Sequence, residues 1–239
     1  KSKIGQLKNW DNKTWLSSQK YIHSFNSFLL KQVKLDKNSR ILDIGCGRGK
    51  ILADLSIKLK LQNKPIGLDI ESHKDKSKKI IFKKIDAMNF VSKTKITFDL
   101  ILIKQTIHLL RKQQILKLLS ICKKILSPNG KIIVLSLDPQ KNEIPTFHLM
   151  KKKLNISLKK DKKLFDVIIK NNPRIITKKF IYSVQISKLK YLEMINNRYI
   201  STILNFTDKE IINGLNEIIR KYKKILKFKD RLICFIIKK

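Results

Sequence analysis

The sequence predicts an α/β fold: a doubly wound seven-stranded sheet with an N-terminal helical lid and a helical insertion after strand 5. Three observations predict it. Short β-branched runs alternate with longer amphipathic stretches, which is the rhythm of βαβ units around a parallel sheet. Runs such as Ile41-Leu42-Asp43-Ile44 and Lys131-Ile132-Ile133-Val134-Leu135 are almost continuously apolar, as strands covered on both faces must be. Only 7 glycines occur in 239 residues, and three of them crowd into Gly45–Gly49, directly after the first apolar run.

Taken in order, Trp10–Lys31 reads as helical, with Trp15, Ile22, Phe25 and Leu29 near one face. Strands are expected at Arg40–Gly45, Pro65–Ile70, Ile80–Asp86, Phe98–Lys104 and Lys131–Leu137. Helices are expected at Lys50–Leu61, near Ser72–Lys79, and at Leu109–Leu126. The last of these stops at Ser127-Pro128-Asn129-Gly130, a helix breaker followed by a turn. Beyond Asp138 the rhythm changes. A basic helical region over about 141–170 precedes a strand at Lys178–Ser187, helices at Lys188–Arg198 and Asp208–Tyr222, and a final strand at Asp230–Ile237. Thr207, three residues before Glu210, forms a capping box for the last helix. No repeat or Pro/Gly/Ser linker interrupts the chain. It therefore reads as one domain over 1–239: a helical cover at 1–34, a ligand-binding core at 35–138, a second cover with the sixth strand at 139–229, and the last strand at 230–239.

Composition excludes several classes. With 42% hydrophobic residues the chain can bury a core, unlike a disordered protein. No apolar run reaches the roughly 18–20 residues of a membrane span. Three scattered cysteines, Cys46, Cys122 and Cys234, make neither a disulfide framework nor a metal knuckle, so a reduced, cytoplasmic protein without a metal site is expected. The net charge of +36 would ordinarily point to nucleic acid. Of the 54 basic residues, however, 47 are Lys and 7 are Arg, and the lysines are spread beside abundant Ile and Asn. That mixture reads as compositional bias with Lys as surface filler, since phosphate sites favour guanidinium. The densest block, Lys151–Lys190, carries 13 basic residues against Asp161 and Asp166.

The run Asp43-Ile44-Gly45-Cys46-Gly47-Arg48-Gly49 lies where an α/β sheet binds its ligand, at the carboxyl end of the first strand. Glycines there allow a tight turn and close approach of a ligand to bare backbone. A dinucleotide fingerprint needs G-x-G-x-x-G, and here the third glycine comes one residue early. The pattern instead resembles motif I of the class I S-adenosylmethionine-dependent methyltransferases, which have a Rossmann-like fold. The resemblance continues through Asp69-Ile70, Ile85-Asp86-Ala87, Phe98–Lys104 with Gln105-Thr106-Ile107-His108, and Leu126–Lys131, covering about residues 35–138. In the last piece Asn129 replaces a common glycine, and Asn tolerates positive φ.

The resemblance implies S-adenosylmethionine as cofactor, with S-adenosylhomocysteine as product. It implies a turn of Gly45, Cys46, Gly47 and Gly49, ribose binding by Asp69, and packing of Ile70 against adenine. Asp86 and the Ala87 amide would recognise the adenine ring, and Lys104 lies in the segment flanking the methionine moiety. Plainer readings stand beside these: Asp86 as a strand-end turn residue, Asp69 as a cap for a helix near Ser72, Arg48 as a solvated side chain. Asp43, among apolar neighbours, needs backbone amides or the cofactor's ammonium as partners.

Acceptor motifs are informative by their absence. The Asn/Asp-Pro-Pro-aromatic run of nucleobase amino methylation is replaced by Lys104-Gln105-Thr106-Ile107, and Cys122 and Cys234 read as core residues, not nucleophiles. His108 is the candidate general base, because an ordinary pKa of ~6.5 suits proton transfer near neutrality; a loop-positioning or pocket-lining role is the alternative. His23, His73 and His148 read as surface or lid residues. Trp15, Tyr21, Arg198 and Tyr199 are the candidate acceptor-binding residues. Arg198 stands out as a scarce guanidinium beside an aromatic, suited to hold a carboxylate; an ion pair with Glu193 or Asp208 is the alternative. The expected function is methylation of a small, carboxylate-bearing metabolite by in-line displacement. The runner-up is an RNA-directed methyltransferase landing on the basic 151–190 surface, and a cofactor-binding protein without transfer stands third. Oligomeric state and the acceptor atom are left open by the sequence.

Overall fold

The computed structural model describes residues 14–239 with the exception of residue 74. Trp10, expected within the first helix, lies outside the described residues. A 3-10 turn at Trp15–Ser17 leads into helix α1 at Gln19–Leu30. Trp15, Ile22, Phe25 and Leu29 are all buried, so the face read from the sequence is the inner one.

Seven strands form one mixed sheet: β1 (Ile41–Ile44), β2 (Ile66–Asp69), β3 (Ile81–Lys84), β4 (Phe98–Lys104), β5 (Leu126–Leu137), β6 (Ile176–Ser187) and β7 (Ile225–Lys238). Their order is β3-β2-β1-β4-β5-β7-β6. Strands β3, β2, β1, β4 and β5 run parallel, with Asp43 paired to Gly67 on one side and to Leu102 on the other. The strand order reverses between β1 and β4, and in sheets of this kind ligands bind beyond the carboxyl ends of the strands at such a switch. Between the strands run α2 (Lys50–Lys58), α3 (Ala87–Lys93) and α4 (Lys112–Lys124); α5 (His148–Lys170), α6 (Lys188–Asn196) and α7 (Asp208–Lys221) follow β5. Thr207 and Glu210 make the expected capping box on α7.

By contacts the chain divides into two units. One gathers the chain up to Tyr21, Leu137–Lys163 and Ile181–Arg231; the other gathers Ile22–Ser136, Leu164–Phe180 and Leu232–Lys239. The second unit holds the core of the parallel sheet, in which Leu42, Ile44, Leu68, Ile101, Ile103, Ile132 and Val134 are at most 2% exposed. Burying such side chains is worth about 1.5–3 kcal/mol each.

Four expectations are corrected. No helix forms at Ser72–Lys79; the described residues there make turns and bends, and His73 is buried rather than on the surface. A helix the sequence reading passed over, α3, starts directly after Asp86, which caps it. Ser127–Gly130 does not separate helix from strand but lies within β5, as a shift in its register against β4. A β-carbon on Gly130 would lie 2.6 Å from the Phe98 carbonyl oxygen, and Ser127 Oγ donates to Asp99 Oδ1 at 2.6 Å. Nor does Asn129 use positive φ. Among the described residues only Lys60, Gln105 and Arg198 do so without being glycine.

Candidate active site

At the carboxyl end of β1 the chain reverses through Gly45, Gly47 and Gly49, with φ of 78°, 53° and 69°. The amides of Gly45 and Cys46 both donate to the Leu68 carbonyl, at 2.8 and 3.0 Å, which ties the turn to β2. Packing as well as φ demands glycine here. A β-carbon on Gly45 would collide with the Thr106 side chain, and one on Gly49 with the δ-methyl of Ile80. Gly49 also caps α2 without a side chain, so the first amides of that helix open towards the turn.

Two carboxylates flank this turn. Asp69 is fully engaged locally: its Oδ2 accepts from Gly47 N at 2.8 Å and its Oδ1 from Glu71 N at 3.0 Å. It braces the glycine turn and caps no helix. Asp43 is 3% exposed, and its Oδ1 has no hydrogen-bond partner within the protein. Burial pushes its carboxyl up to about 7, with the charge of Asp69 adding to the effect and that of Lys104 opposing it. Burial, reinforced by the same two acids, also pushes the Cys46 thiol up, so Cys46 is no thiolate at neutral pH. Ile70, next after Asp69, presents a side chain 44% exposed, unusual for an isoleucine at a strand end. Asp86 Oδ1 accepts from Asn89 N at 3.1 Å, capping α3, and Ala87 is the first residue of that helix.

At the end of β4, Gln105 adopts φ of 55°, a left-handed conformation that a non-glycine residue holds only under constraint. Its amide donates to the Leu135 carbonyl at 2.8 Å. This bend sets Thr106 against Gly45, with Thr106 Oγ1 donating to the Lys104 carbonyl at 3.0 Å. His108 follows in a short 3-10 turn at Ile107–Leu109, half-buried. Burial pulls its imidazole down to about 4, so it is neutral at physiological pH. Lys104 Nζ lies 5.4 Å from the centre of the Phe25 ring. Thr106 and Gln105 were quoted in the sequence but given no role; what singles them out, contact and dihedral angle, is visible only in three dimensions.

The expected acceptor residues all lie in the other unit. Trp15 is 7% exposed, meets Tyr199 and Phe228 edge-on at 5.5 and 5.2 Å, and donates from Nε1 to Asp230 Oδ2 at 3.0 Å. Tyr199 is 3% exposed and shares a hydrogen bond of 3.0 Å with Tyr191, which also donates to the Pro145 carbonyl. Tyr21 is fully buried and packs edge-on against Tyr182; burial, with the nearby charge of Asp230 adding to it, pushes its hydroxyl well above the usual range. Asp230, a buried acid on which Trp15 and Tyr21 converge, was not foreseen. Arg198 has φ of 51°, and its Nη2 donates to the Phe206 carbonyl at 3.1 Å and to Asp208 Oδ1 at 2.6 Å. Both hydrogen-bonding forks of a guanidinium include Nη2, so a bidentate carboxylate would have to displace one of these two partners.

A cofactor bearing an ammonium, a ribose and an adenine needs a buried acceptor, an acid at the end of β2 and an apolar face beside it. Asp43 with its unpartnered Oδ1, Asp69 and the exposed Ile70 are side chains of those kinds, so the residues present fit S-adenosylmethionine. Among the described residues no cluster of His, Cys, Asp and Glu could hold a metal. A recess of about 280 Å³ lies elsewhere, at the opposite ends of β1, β2, β3 and β4, lined by Arg40, Lys64, Ile81 and Phe98 among others. It has no part in this chemistry.

A sheet in this order, with a glycine turn after its first strand, defines a class I S-adenosylmethionine-dependent methyltransferase. A family model described as a methyltransferase domain matches residues 35–233, and the chain belongs to that family. Solved structures agree in fold. The plantazolicin methyltransferase BpumL, in complex with a monoazolic desmethyl-plantazolicin analogue and S-adenosylhomocysteine, aligns with TM-score 0.56 and 19% identity over 98% of this chain and 89% of that one. A SAM-dependent methyltransferase from Archaeoglobus fulgidus aligns with TM-score 0.55 and 20% identity over 93% and 95%. A methyltransferase ascribed to an antibiotic biosynthesis pathway of Anabaena variabilis aligns with TM-score 0.57 and 14% identity over 88% and 95%. No curated protein matches the chain.

Proposed function

We propose that this methyltransferase acts on a small organic acceptor. The observation that carries this reading is the end of β4. There Thr106 packs on the cofactor turn, and His108, two residues on, is held neutral by burial. The same segment lacks the proline-aromatic run and the nucleophilic cysteine that base methylation would require. When bound, S-adenosylmethionine supplies a sulfonium methyl that an in-line nucleophile can take. The protein's own residues then have limited tasks. Asp43 would take the cofactor's ammonium, Gly45, Cys46, Gly47 and Gly49 would let it approach the backbone, and Asp69, held by the Gly47 and Glu71 amides, would accept from the ribose hydroxyls with its remaining lone pairs. Ile70, Asp86 and Ala87 would hold the adenine, and Lys104 would flank the methionine moiety. His108 accepts the proton that the acceptor sheds, a role open to a neutral imidazole.

Trp15, Tyr21, Tyr199 and Arg198 form the acceptor side of this proposal, with Arg198 holding a carboxylate by exchanging Asp208 for it. The fold likeness to BpumL and to the Anabaena variabilis protein, whose names place them in natural-product chemistry, supports a small or peptidic acceptor over a macromolecule. The three cysteines are free thiols and no helix among the described residues is long and apolar enough to cross a membrane, which supports a cytoplasmic setting.

A second reading, RNA methylation, draws on α5, whose exposed residues include Lys151, Lys152, Lys159 and Lys163. One experiment separates the two. The purified protein is incubated with methyl-labelled S-adenosylmethionine and a cell extract, desalted or whole, with and without ribonuclease. Label in low-mass material that disappears on desalting is the expected result. Label in ribonuclease-sensitive macromolecules would overturn it.

A further inference from the structure

Three exposed aliphatic side chains meet at the junction of α6, α7 and β7. Leu189, near the start of α6, is 80% exposed; Ile225, at the start of β7, is 49% exposed; and Ile219, in the last turn of α7, is 47% exposed. Lys188 joins their backbones. Its Nζ donates to the Ile219 carbonyl at 2.9 Å and to the Tyr222 carbonyl at 3.0 Å, and its amide donates to the Lys224 carbonyl at 2.8 Å. Ile219 is one of the residues so held, Leu189 adjoins Lys188, and Ile225 adjoins Lys224. The core does not account for them. Helix α7 turns Ile211, Gly214 and Ile218 inward, α6 turns Tyr191, Met194 and Ile195, and β7 buries Leu226 and Phe228.

Cations surround these tips. From Ile218 to Lys229 the chain holds Arg220, Lys221, Lys223, Lys224, Lys227 and Lys229 and no acid, and Lys190 follows Leu189. Lys190, Arg220, Lys223 and Lys224 are exposed and make no ion pair among the described residues. Aliphatic tips ringed by long cationic stems fit an anionic lipid surface. The tips enter the boundary between headgroups and acyl chains while the stems reach back to the headgroup charges. Single-stranded nucleic acid asks instead for aromatic platforms. Here Tyr191 and Phe228 are buried, and Tyr222 is tied through its hydroxyl to the Thr146 carbonyl at 3.2 Å. An acidic protein segment would ask for a groove, whereas Leu189 projects. We propose that this junction docks the protein on an anionic membrane surface, with Leu189, Ile219 and Ile225 inserted and Lys190, Arg220, Lys223 and Lys224 against phospholipid headgroups. Such docking lies on a bilayer and needs no spanning helix. It goes beyond the methyl-transfer reading and does not depend on it.

Co-sedimentation of the full chain with vesicles tests it, using phosphatidylcholine alone and phosphatidylcholine mixed with phosphatidylglycerol. A chain of net charge +36 is drawn to any anionic surface, so the variants must separate this junction from bulk charge. Wild type should bind the mixed vesicles only. Leu189→Ser with Ile225→Ser keeps every charge and should weaken that binding about tenfold, through the loss of two inserted tips. Lys223→Gln with Lys224→Gln should weaken it about tenfold as well, and more than the same pair of changes at Lys159 and Lys163 on α5. In Leu189→Trp, brominated acyl chains should quench the new tryptophan. Binding that ignores the aliphatic pair, that falls equally with lysines at either place, or that leaves the tryptophan unquenched would reduce the effect to bulk charge and overturn the proposal. Absence of binding to the mixed vesicles would overturn it too, and polyglutamate or RNA binding that is lost with Leu189→Ser and Ile225→Ser would then assign the junction to a macromolecule.

Discussion

Thr106 occupies the space that a β-carbon on Gly45 would need, so the start of the cofactor turn and the first residues beyond β4 are built as one piece. Gly45→Ala should therefore fail twice, by collision with Thr106 and by the strain of a φ of 78°. Strain of this kind costs about 1–3 kcal/mol. Equilibrium unfolding and S-adenosylhomocysteine titration should show a loss of that size in stability and at least tenfold in affinity. Adding Thr106→Ala should recover only part of the loss, because the β-carbon at 106 stays 2.9 Å from the new one and the dihedral strain is untouched. Full recovery in the double variant would mean that the dihedral is not constrained.

Asp43 makes cofactor affinity depend on pH. Its folded-state value of about 7 lies above the ~3.9 of an unfolded aspartate, so the empty folded protein holds a proton that the unfolded chain lacks. The stability linked to it is complete below about pH 4 and is lost as pH rises towards 7 and above. An ammonium against Asp43 favours the carboxylate, so cofactor binding between pH 5 and 7 should release a proton and tighten as pH rises. Calorimetry in buffers of different ionisation enthalpy reads that proton directly. In Asp43→Asn the release should vanish and affinity should fall at least tenfold.

His108 carries the opposite sign. Burial lowers its folded value to about 4, below the unfolded ~6.5, so the unfolded chain takes up the proton first. Its stability contribution is present above pH 6.5 and lost as pH falls through 4. Denaturant midpoints for wild type should drop across that window more steeply than those of His108→Phe. If His108 is the base, His108→Ala should lower kcat roughly 10²–10⁴-fold with little change in cofactor Kd. An unchanged kcat would reduce it to a pocket-lining residue.

Arg198 offers a two-way test. Arg198→Ala should raise the KM for a carboxylate-bearing acceptor, whereas Asp208→Ala, which removes one of the two partners of Nη2 and leaves the Phe206 carbonyl, should lower it. If neither KM moves, Arg198 serves only its ties to Asp208 and the Phe206 carbonyl.

Asp230 supports a different kind of prediction. It is 1% exposed and accepts from Trp15 Nε1 at 3.0 Å. Asp230→Leu should destabilise the protein by about 1–3 kcal/mol, the cost of buried donors left without an acceptor. Urea unfolding followed by tryptophan fluorescence measures it.

What the sequence revealed depended on how local the cause was. The apolar runs of β1, β4 and β5, the Thr207 capping box and the glycine turn were legible because each is specified by neighbours in the chain. The stretch at 72–79 was misread as helix because its lysines fit helical propensity, while its conformation is fixed by Arg48 and Ile80, partners no local pattern reveals. Helix α3 was hidden by its brevity, although Asp86 followed by Asn89 is an ordinary capping signal. Asp43 and Asp69 could be marked as site residues from position alone. That Asp43 Oδ1 has no hydrogen-bond partner while both oxygens of Asp69 are engaged is a property of packing.

The seat of Ile80 has an evolutionary consequence. The δ-methyl stands where a β-carbon on Gly49 would project, whereas one on Gly67 would first meet Cys46 Sγ, at 2.6 Å. Positions 49 and 80 should therefore vary together in related chains. A lineage that acquires a side chain at 49 must shorten its residue at 80, and one that enlarges 80 must keep Gly49, while alanine at 67 is set against the residue at 46. Sequences that break this covariation should have lost the docking of the 75–80 segment as well.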